Sequence, residues 1–568
     1  MTFRHTILFG LTSILLILSS CQSDQNPIST DQGDIRQGQA HFELYCSSCH
    51  GLQNQGIGPA LAGVTSRADV DWLKAFIQDA PSVINSGDQR AKSLLATYHQ
   101  YMPAFLMLSD TSIDQILAYL HAQPVPDQAS LGTGQALEDP IPDSIPLSGD
   151  VIDLDLVAEI PPSGEYPLKT RITKMDCAAH TGRTFMVDLR GKLFEMTSGK
   201  PTLYMDIASY FPNYIEVPGL ATGFGSFAFH PDFEQNGLLY TTHTEKAASA
   251  PADFALPDSI PVKLQWIVDE WKVSDPLAPT MTGTYRELMR IDEVTQIHGV
   301  QDIEFNPTAL PGDEDYGMLY IGVGDGGSVE SGFPSVSING AKKIWSSILR
   351  IDPSGRNSKN GQYGIPPANP WEADNDPATL GEIYARGFRN PHRMTWNARG
   401  QLFASCIGHG NIEELNMIEP GHDYGWPHRE GTFQMRYLET MAKLYPLDPA
   451  DTVDTFTYPV AQYDHDEGNA ISGGYFSGED SDVLPGTYFF GDIVNGRLFY
   501  IKQDDIKQGY PAPVHEWQIA LQGRSTTVLE LTGHNRADLR FGKDCEGHFY
   551  LFTKVDGKVY RMNRKITL

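Results

Sequence analysis

"RGKLFEM" at residues 190–196 has two echoes further along the chain, "NGRLFYI" at 495–501 and "DGKVYRM" at 556–562. Each is a turn residue, a glycine, a base, an apolar residue, an aromatic, an unconstrained position and then Met or Ile. Such a turn followed by alternating positions is a hairpin running into a half-buried strand. A longer echo reads strand, polar turn, strand: "FAFHPDFEQNGLLYTTH" (227–243), "IEFNPTALPGDEDYGMLYIGVG" (303–324), "MTWNARGQLFASCIG" (394–408) and "LRFGKDCEGHFYLFTK" (539–554). Self-similarity of this kind marks a repeat architecture. Counting such units from residue 151 onward gives about six of blade size, which predicts an all-β, six-bladed β-propeller over residues 151–568. The competing architecture, a β-sandwich, finds no immunoglobulin-type Cys…Trp…Cys framework to support it.

Upstream of the propeller the composition changes. Residues 124–150, "PVPDQASLGTGQALEDPIPDSIPLSGD", are rich in Pro, Gly, Ser and Asp and read as a semi-extended linker. Before them, residues 31–123 read as a small all-α domain. "IRQGQAHFELY" runs as a helix into Cys46, "RADVDWLKAFIQDA" spaces Val70, Leu73, Phe76 and Ile77 on one face, and "SIDQILAYLHA" does the same with Ile113, Ile116, Leu117 and Leu120. Within this segment lies "LYCSSCHGLQNQGIGPALAG", residues 44–63. Cys46, Cys49 and His50 form C-x-x-C-H, the attachment signature for haem c. Two thiols add across the haem vinyl groups and the adjacent imidazole reaches the iron. A thioredoxin-like pair would need a βαβ context, and a zinc site would need a second Cys/His pair nearby; neither is present. The segment resembles a class I cytochrome c. That resemblance implies Met102, in "YMPAFLML", as distal iron ligand, with Met107 as runner-up and otherwise core; it implies that the Pro59 carbonyl orients His50. His41 and His99 read as surface residues, either of which would make a bis-His site in place of Met102.

Residues 1–21 read as targeting: Arg4 and His5, an apolar run from Ile7 to Leu18, then "SSC". Twelve apolar residues are too few for a permanent span. "LSSC" resembles a bacterial lipoprotein box, which implies cleavage before Cys21, a diacylglycerol on its thiol, and an extracytoplasmic protein anchored to a bacterial membrane on its periplasmic side or cell surface. An ordinary secretory peptide is the alternative. Residues 22–30 are a polar tether. The 71 acidic and 42 basic side chains give a formal charge of −29, which excludes a nucleic-acid partner. Cys177, Cys406 and Cys545 remain, an odd trio suggesting one disulfide and one thiol. Cys177 and Cys545 lie in the first and last repeats, which a closed propeller makes neighbours, so a bridge between them is expected.

Seven motifs now occur in order: "FGSFAFHPDF", "GMLYIGVGDGG", "SSILRIDPSG", "YGIPPANPW", "EIYARGFRNPHRMTW", "IEELNMIEPGHDYGWP" and "GTYFFGDIVNGRLFYI". Together, over about residues 160–565, they resemble the soluble glucose/sorbosone dehydrogenases, six-bladed propellers that use pyrroloquinoline quinone (PQQ). The resemblance implies His230 of "FHPDF" as general base, taking a hydroxyl proton as hydride moves to the quinone. Read on its own, His230 is equally a strand-end histidine bonded to Asp232. The resemblance also places an activating calcium on backbone carbonyls around "GDGG", at Asp325, Gly326 and Gly327, although Asp325 is as readily a turn cap. Arg389 and Asn390 read as loop architects near the central funnel. Arg497 is a candidate for a quinone carboxylate, against which stands its recurrence as Lys192 and Lys558 in the hairpin echo. Two cations of the family pattern are replaced here, by Ser477 and by Asp302, the latter following His298. The function implied is a quinohaemoprotein dehydrogenase that oxidises a sugar or polyol, passes electrons to its own haem c and on to a cytochrome or oxidase. The alternative is a propeller without quinone that binds glycan or protein beside an electron-carrying cytochrome.

Overall fold

The computed structural model describes residues 28–46, 50, 52, 58–98, 101–123, 135–165, 168–197, 199–218, 221–338, 340–374, 376–447 and 456–567. The targeting segment, Cys21, most of the tether, Cys49, His99 and residues 124–134 lie outside them.

The N-terminal domain consists of helices α1 (Gln32–Tyr45), α2 (Val64–Arg67), α3 (Val70–Asn85), α4 (Gln89–Tyr98) and α5 (Asp110–His121). Three of them start where a short polar side chain satisfies the first free amides. Asp31 accepts from Gly33 and Asp34, Asp69 from Asp71 and Trp72, and Ser109 from Ser112. Helix α5 buries the face its spacing predicts, Ile113, Ile116, Leu117 and Leu120, against Phe42, Cys46, Leu73 and Ile77. Phe76, expected on the buried face of α3, stacks instead on Trp72 with centroids 4.7 Å apart. Gly38 sets the approach of α1 to α5, because a methyl group there would stand 1.8 Å from the Gln115 carbonyl oxygen.

Among the described residues the C-terminal domain forms six four-stranded blades. Their innermost strands are Ile172–Ala178, Phe224–Phe229, Asp302–Phe305, Pro391–Trp396, Tyr475–Phe476 and Leu539–Lys543. Neighbouring blades touch along these inner strands, the sixth meeting the first, except that the fifth reaches the sixth through Thr487–Gly491. Each pair of adjacent blades shares an apolar cluster. Tyr240 and Trp266 meet Ile303 and Leu319 between the second and third blades; Met175 and Phe194 meet Phe552 and Val559 between the sixth and first. A sheet whose two faces are both covered in this way needs no separate core.

Chain ends close the ring. Leu147–Glu159 is the outer strand of the sixth blade, antiparallel to Lys558–Ile566, and also runs parallel to His515–Leu521 at the edge of the fifth. The structure joins Cys177 to Cys545, Cα atoms 5.2 Å apart and 368 residues apart in sequence, across the same seam. Cys406 is a buried thiol.

Of the span 124–150 expected as a linker, residues 135–150 need correction. Leu137 N–H donates to the Leu444 carbonyl at 2.9 Å, Ile141 N–H to the Asp464 carboxylate at 3.0 Å and Ile145 N–H to Glu467 at 2.8 Å. Ile141 and Ile145 pack on the propeller, and the closing strand has begun by Leu147. Proline-rich sequence gives extended chain, but here two isoleucines and three satisfied amides lay it down as a strap.

Peptide mapping without reductant is expected to recover Cys177 linked to Cys545. Cys177→Ser should lower propeller stability by about 2–4 kcal/mol, read as an earlier denaturant midpoint. Full alkylation of both thiols in native protein would refute the bridge.

Candidate active site and haem pocket

The haem pocket is built from the end of α1. His50 N–H donates to the Cys46 carbonyl at 2.9 Å, so the helix-terminal turn carries the ring into place. Its Nδ1 lies 2.9 Å from the Pro59 carbonyl oxygen, the contact expected from the sequence. Gly58 lies against the ring, where a methyl group would come within 2.4 Å of Cε1. Burial holds the imidazole below its ordinary pKa, and the Pro59 carbonyl partly offsets this. With Nδ1–H directed at Pro59, Nε2 is the nitrogen left for a metal. Cys46 is buried in the domain's apolar cluster and Met102 packs against it. This donor set fits haem c, which supplies a one-electron carrier. Met107 is not core: it is 61% exposed on a turn, and Leu108 takes the buried place. His41 is half-buried and stacks on Tyr45.

The propeller's pocket opens where the innermost strands begin. Thr173, Gly225, Gln301, Arg393 and Arg540 line it from or beside those strands, and His298, Arg389, Asn390, Gly408 and Lys554 from the loops between. His298 sits in the loop before Asp302–Phe305 with φ of 57°, a left-handed conformation uncommon outside glycine. Gly324 permits it, since a methyl there would lie 2.1 Å from the His298 carbonyl oxygen. The His298 Nδ1 is 2.7 Å from Asp325 Oδ1, which also accepts from Gly327 N–H at 2.8 Å. Asp325 Oδ2 accepts from Trp426 Nε1 at 3.1 Å. Asp325 is fully buried, so this arrangement fixes ring and tautomer and leaves Nε2 to work in the cavity. Behind it Glu293 is fully buried; burial, then Asp325 and Asp292, push its carboxyl well above the usual carboxylate range.

Several sequence-predicted residues lie elsewhere. His230 follows the last residue of Phe224–Phe229, whereas Gly225 near that strand's start lines the pocket. The strand separates them by roughly 16 Å. His230 Nδ1 meets Asn236 Nδ2 at 2.8 Å and accepts from Asp232 N–H at 3.0 Å, contacts that build a turn away from the pocket. Arg497 pairs with Glu467 and Glu516 and does not line the pocket. Every carbonyl of the "GDGG" loop already accepts a hydrogen bond. The Gly324 carbonyl accepts from Ser346, Asp325 from Ser328, Gly326 from Thr295 and Gly327 from Ser331, while both Asp325 carboxylate oxygens are in use. Ser477 is buried with its hydroxyl on the Val483 carbonyl. Asp302 ties three blades together, reaching Lys174 Nζ at 3.1 Å and accepting from Met394 N–H at 2.8 Å. Arg389 pairs with Glu330 and donates to the Ile407 and Gly408 carbonyls, shaping the funnel as expected. Sequence reasoning passed over His298, Arg540 and Lys554. The signal available for His298 was its place just before a strand, a position "FHPDF" does not share.

The positive lining fits an anionic cofactor. His392 is buried, and Asn390 Oδ1 and Arg540 Nε lack hydrogen-bond partners. Residues 174–561 match the family described as Glucose / Sorbosone dehydrogenase, and residues 35–123 match Cytochrome c. The chain is 27% identical to HIPL2 protein of Arabidopsis thaliana over 56% of its length and 50% of that protein. It is 24% identical to quinoprotein glucose dehydrogenase B of Acinetobacter calcoaceticus over 37% of its length and 40% of that protein. The chain spans about half the length of the curated relatives it matches first. A solved structure titled glucose dehydrogenase superposes with a TM-score of 0.51 at 18% identity, covering 73% of this chain and 99% of that one, which supports the propeller fold.

Replacing Met102 by Ala is expected to abolish the sulfur-to-iron charge-transfer band of the oxidised protein. Met107→Ala should leave that band intact. The reverse pattern would move the ligand to Met107.

Proposed function

The chain belongs to the glucose/sorbosone dehydrogenase family, and from that membership we propose a quinohaemoprotein dehydrogenase that oxidises a sugar or polyol in the propeller pocket and passes the electrons to its own haem c. One arrangement carries the reading: His298, held by buried Asp325, faces a pocket lined by cations. When bound, PQQ supplies the two-electron acceptor for the substrate's hydride. His298 Nε2 accepts the proton of the hydroxyl being oxidised, and Asp325 stabilises the resulting imidazolium through Nδ1–H. Arg393, Arg536, Arg540 and Lys554 offer the positive charge that a tricarboxylate needs. No step is assigned to calcium; the carbonyls of the loop expected to hold it each accept a hydrogen bond within the propeller.

Fusion of the cytochrome to the propeller keeps the electron acceptor at roughly millimolar effective concentration through a short tether. From the haem, electrons would pass to a cytochrome or oxidase. The reading also includes a lipid anchor at Cys21. Among the described residues no helix is long and apolar enough to cross a membrane.

Anaerobic mixing of PQQ-loaded protein with a panel of sugars should reduce the haem. His298→Gln is expected to slow that reduction by roughly 10²–10⁴, the range for a lost general base, with the haem spectrum unchanged. His230→Gln should leave the rate as it is; the opposite pattern would restore His230 as base. Absence of any PQQ binding would sink the dehydrogenase reading in favour of a docking propeller beside a cytochrome.

Cys21→Ser should release the protein from the membrane fraction. An unchanged distribution would remove the anchor.

A further inference from the structure

The haem domain leaves an apolar surface uncovered beside Met102. From Ser93 to Ser109 the chain carries no Asp, Glu, Lys or Arg, although 20% of its residues are charged overall. This stretch holds the end of α4 and the turn that carries Met102. Phe105 N–H donates to the Gln78 carbonyl at 2.9 Å, Leu108 N–H donates to the Phe105 carbonyl at 2.9 Å, and Leu108 is buried. With the turn fixed by those residues, Leu106 and Met107 are thrown outward, 63% and 61% exposed.

A second such surface lies on the propeller. The fourth blade carries an inserted three-stranded sheet, Arg429–Glu430, Phe433–Arg436 and Thr440–Tyr445. Its base is firmly seated, since Met435, Met441 and Leu444 are buried with Trp426 and Val329. Its tip is not: Leu438 is 78% exposed. Beside the tip, the Tyr437 ring meets His428 at 5.3 Å and the Arg436 guanidinium lies 3.9 Å from the Tyr445 ring. Aromatic and arginine side chains on a rigid base are the material of binding hot spots. The sheet also borders the pocket, because Glu430 accepts the His409 amide next to pocket-lining Gly408.

The covalent chain decides which partner meets this tip. Leu137 is hydrogen-bonded to Leu444 of the same small sheet, and α5 ends at His121. The chain between His121 and Leu137 spans at most about 55 Å when fully extended. Helix α5 covers roughly 18 Å from His121 back to Asp110, beside the turn. The strand from Leu444 to the tip covers roughly 20 Å. Leu106 and Met107 therefore reach Leu438 with chain to spare. The tether holds the two surfaces at roughly millimolar effective concentration, so a small contact suffices, as is usual between redox partners.

We propose that Leu106 and Met107 of the haem domain dock on the Leu438 tip of the same molecule, bringing the Met102 side of the haem domain to the fourth-blade rim of the pocket. The use of this contact, electron transfer, rests on the dehydrogenase reading above; the contact itself requires no quinone.

Disulfide trapping in the haem-loaded full chain, without PQQ, tests the contact. Under mild oxidation a Met107→Cys, Leu438→Cys variant should form a link within one molecule, identified by peptide mapping. A Met107→Cys, Leu310→Cys variant should give at least tenfold less, because Leu310, also exposed, follows the far end of the third blade's innermost strand. Equal yields from the two variants, or links only between molecules, would overturn the docking. In PQQ-loaded protein, Leu106→Glu and Leu438→Glu should each slow sugar-driven haem reduction tenfold or more, since a carboxylate in an apolar contact must be desolvated. The haem spectrum and PQQ affinity should not change. Unaltered reduction rates in both would overturn the docking and leave the quinone reading standing. A selective Met107–Leu438 position link in a protein whose haem no sugar reduces would keep the docking and overturn the quinone reading. Should a cysteine variant fail to fold, the glutamate variants decide.

Discussion

The propeller depends on one seam. Five of its blades are continuous stretches of chain, but the sixth takes three strands from the C-terminal end and its fourth, Leu147–Glu159, from the N-terminal side. Without that strand Lys558–Ile566 would present an unpaired edge, and the cluster joining the sixth blade to the first would lose Ala158. The pocket exists only inside the closed ring, since its lining comes from every blade. Closure therefore precedes any chemistry. The Cys177–Cys545 bridge fixes the same seam from its inner side, so outer strand and inner bridge hold the joint at both radii.

Within the ring, strands supply rigidity and the loops before the innermost strands supply chemistry. His298 shows how. Its left-handed backbone is tolerated because Gly324 leaves room for its carbonyl, and its ring is aimed by Asp325, whose second oxygen is held by Trp426 from the fourth blade's insertion. That insertion, Arg429–Glu430, Phe433–Arg436 and Thr440–Tyr445, is itself seated by Glu430, which accepts the amides of His409, Gly410, Asn411 and Ile412. The geometry of His298 thus rests on groups from blades that are distant in sequence.

That dependence explains what the sequence disclosed and what it withheld. Period-two strands, hairpin glycines and the recurring turn motif are local signals, and they led to the propeller. C-x-x-C-H and the Pro59 contact are also local: nine residues separate His50 from the carbonyl that orients it. The pocket is not local. His230 and His298 both flank innermost strands, but one follows its strand and the other precedes it, and only the ring shows which end is the mouth. Arg540 and Lys554 looked like ordinary alternating positions of the last blade. The search for cofactor cations at Ser477 and Asp302 missed them because charge can reach a central cavity from any of the blades. Composition also misled over residues 135–150, where isoleucines and backbone amides outweighed a proline-rich appearance.

The strap from Leu137 to Leu147 has a mechanical consequence. A pull on the N-terminal part of the molecule is delivered first to its hydrogen bonds with Leu444, Asp464 and Glu467, then along the axis of Leu147–Glu159. That strand is paired on both sides, antiparallel to one neighbour and parallel to the other. Tension along it loads both ladders in shear, so their bonds resist together and do not peel one at a time. The part of the propeller that the chain's own topology exposes to traction is the part most firmly sewn.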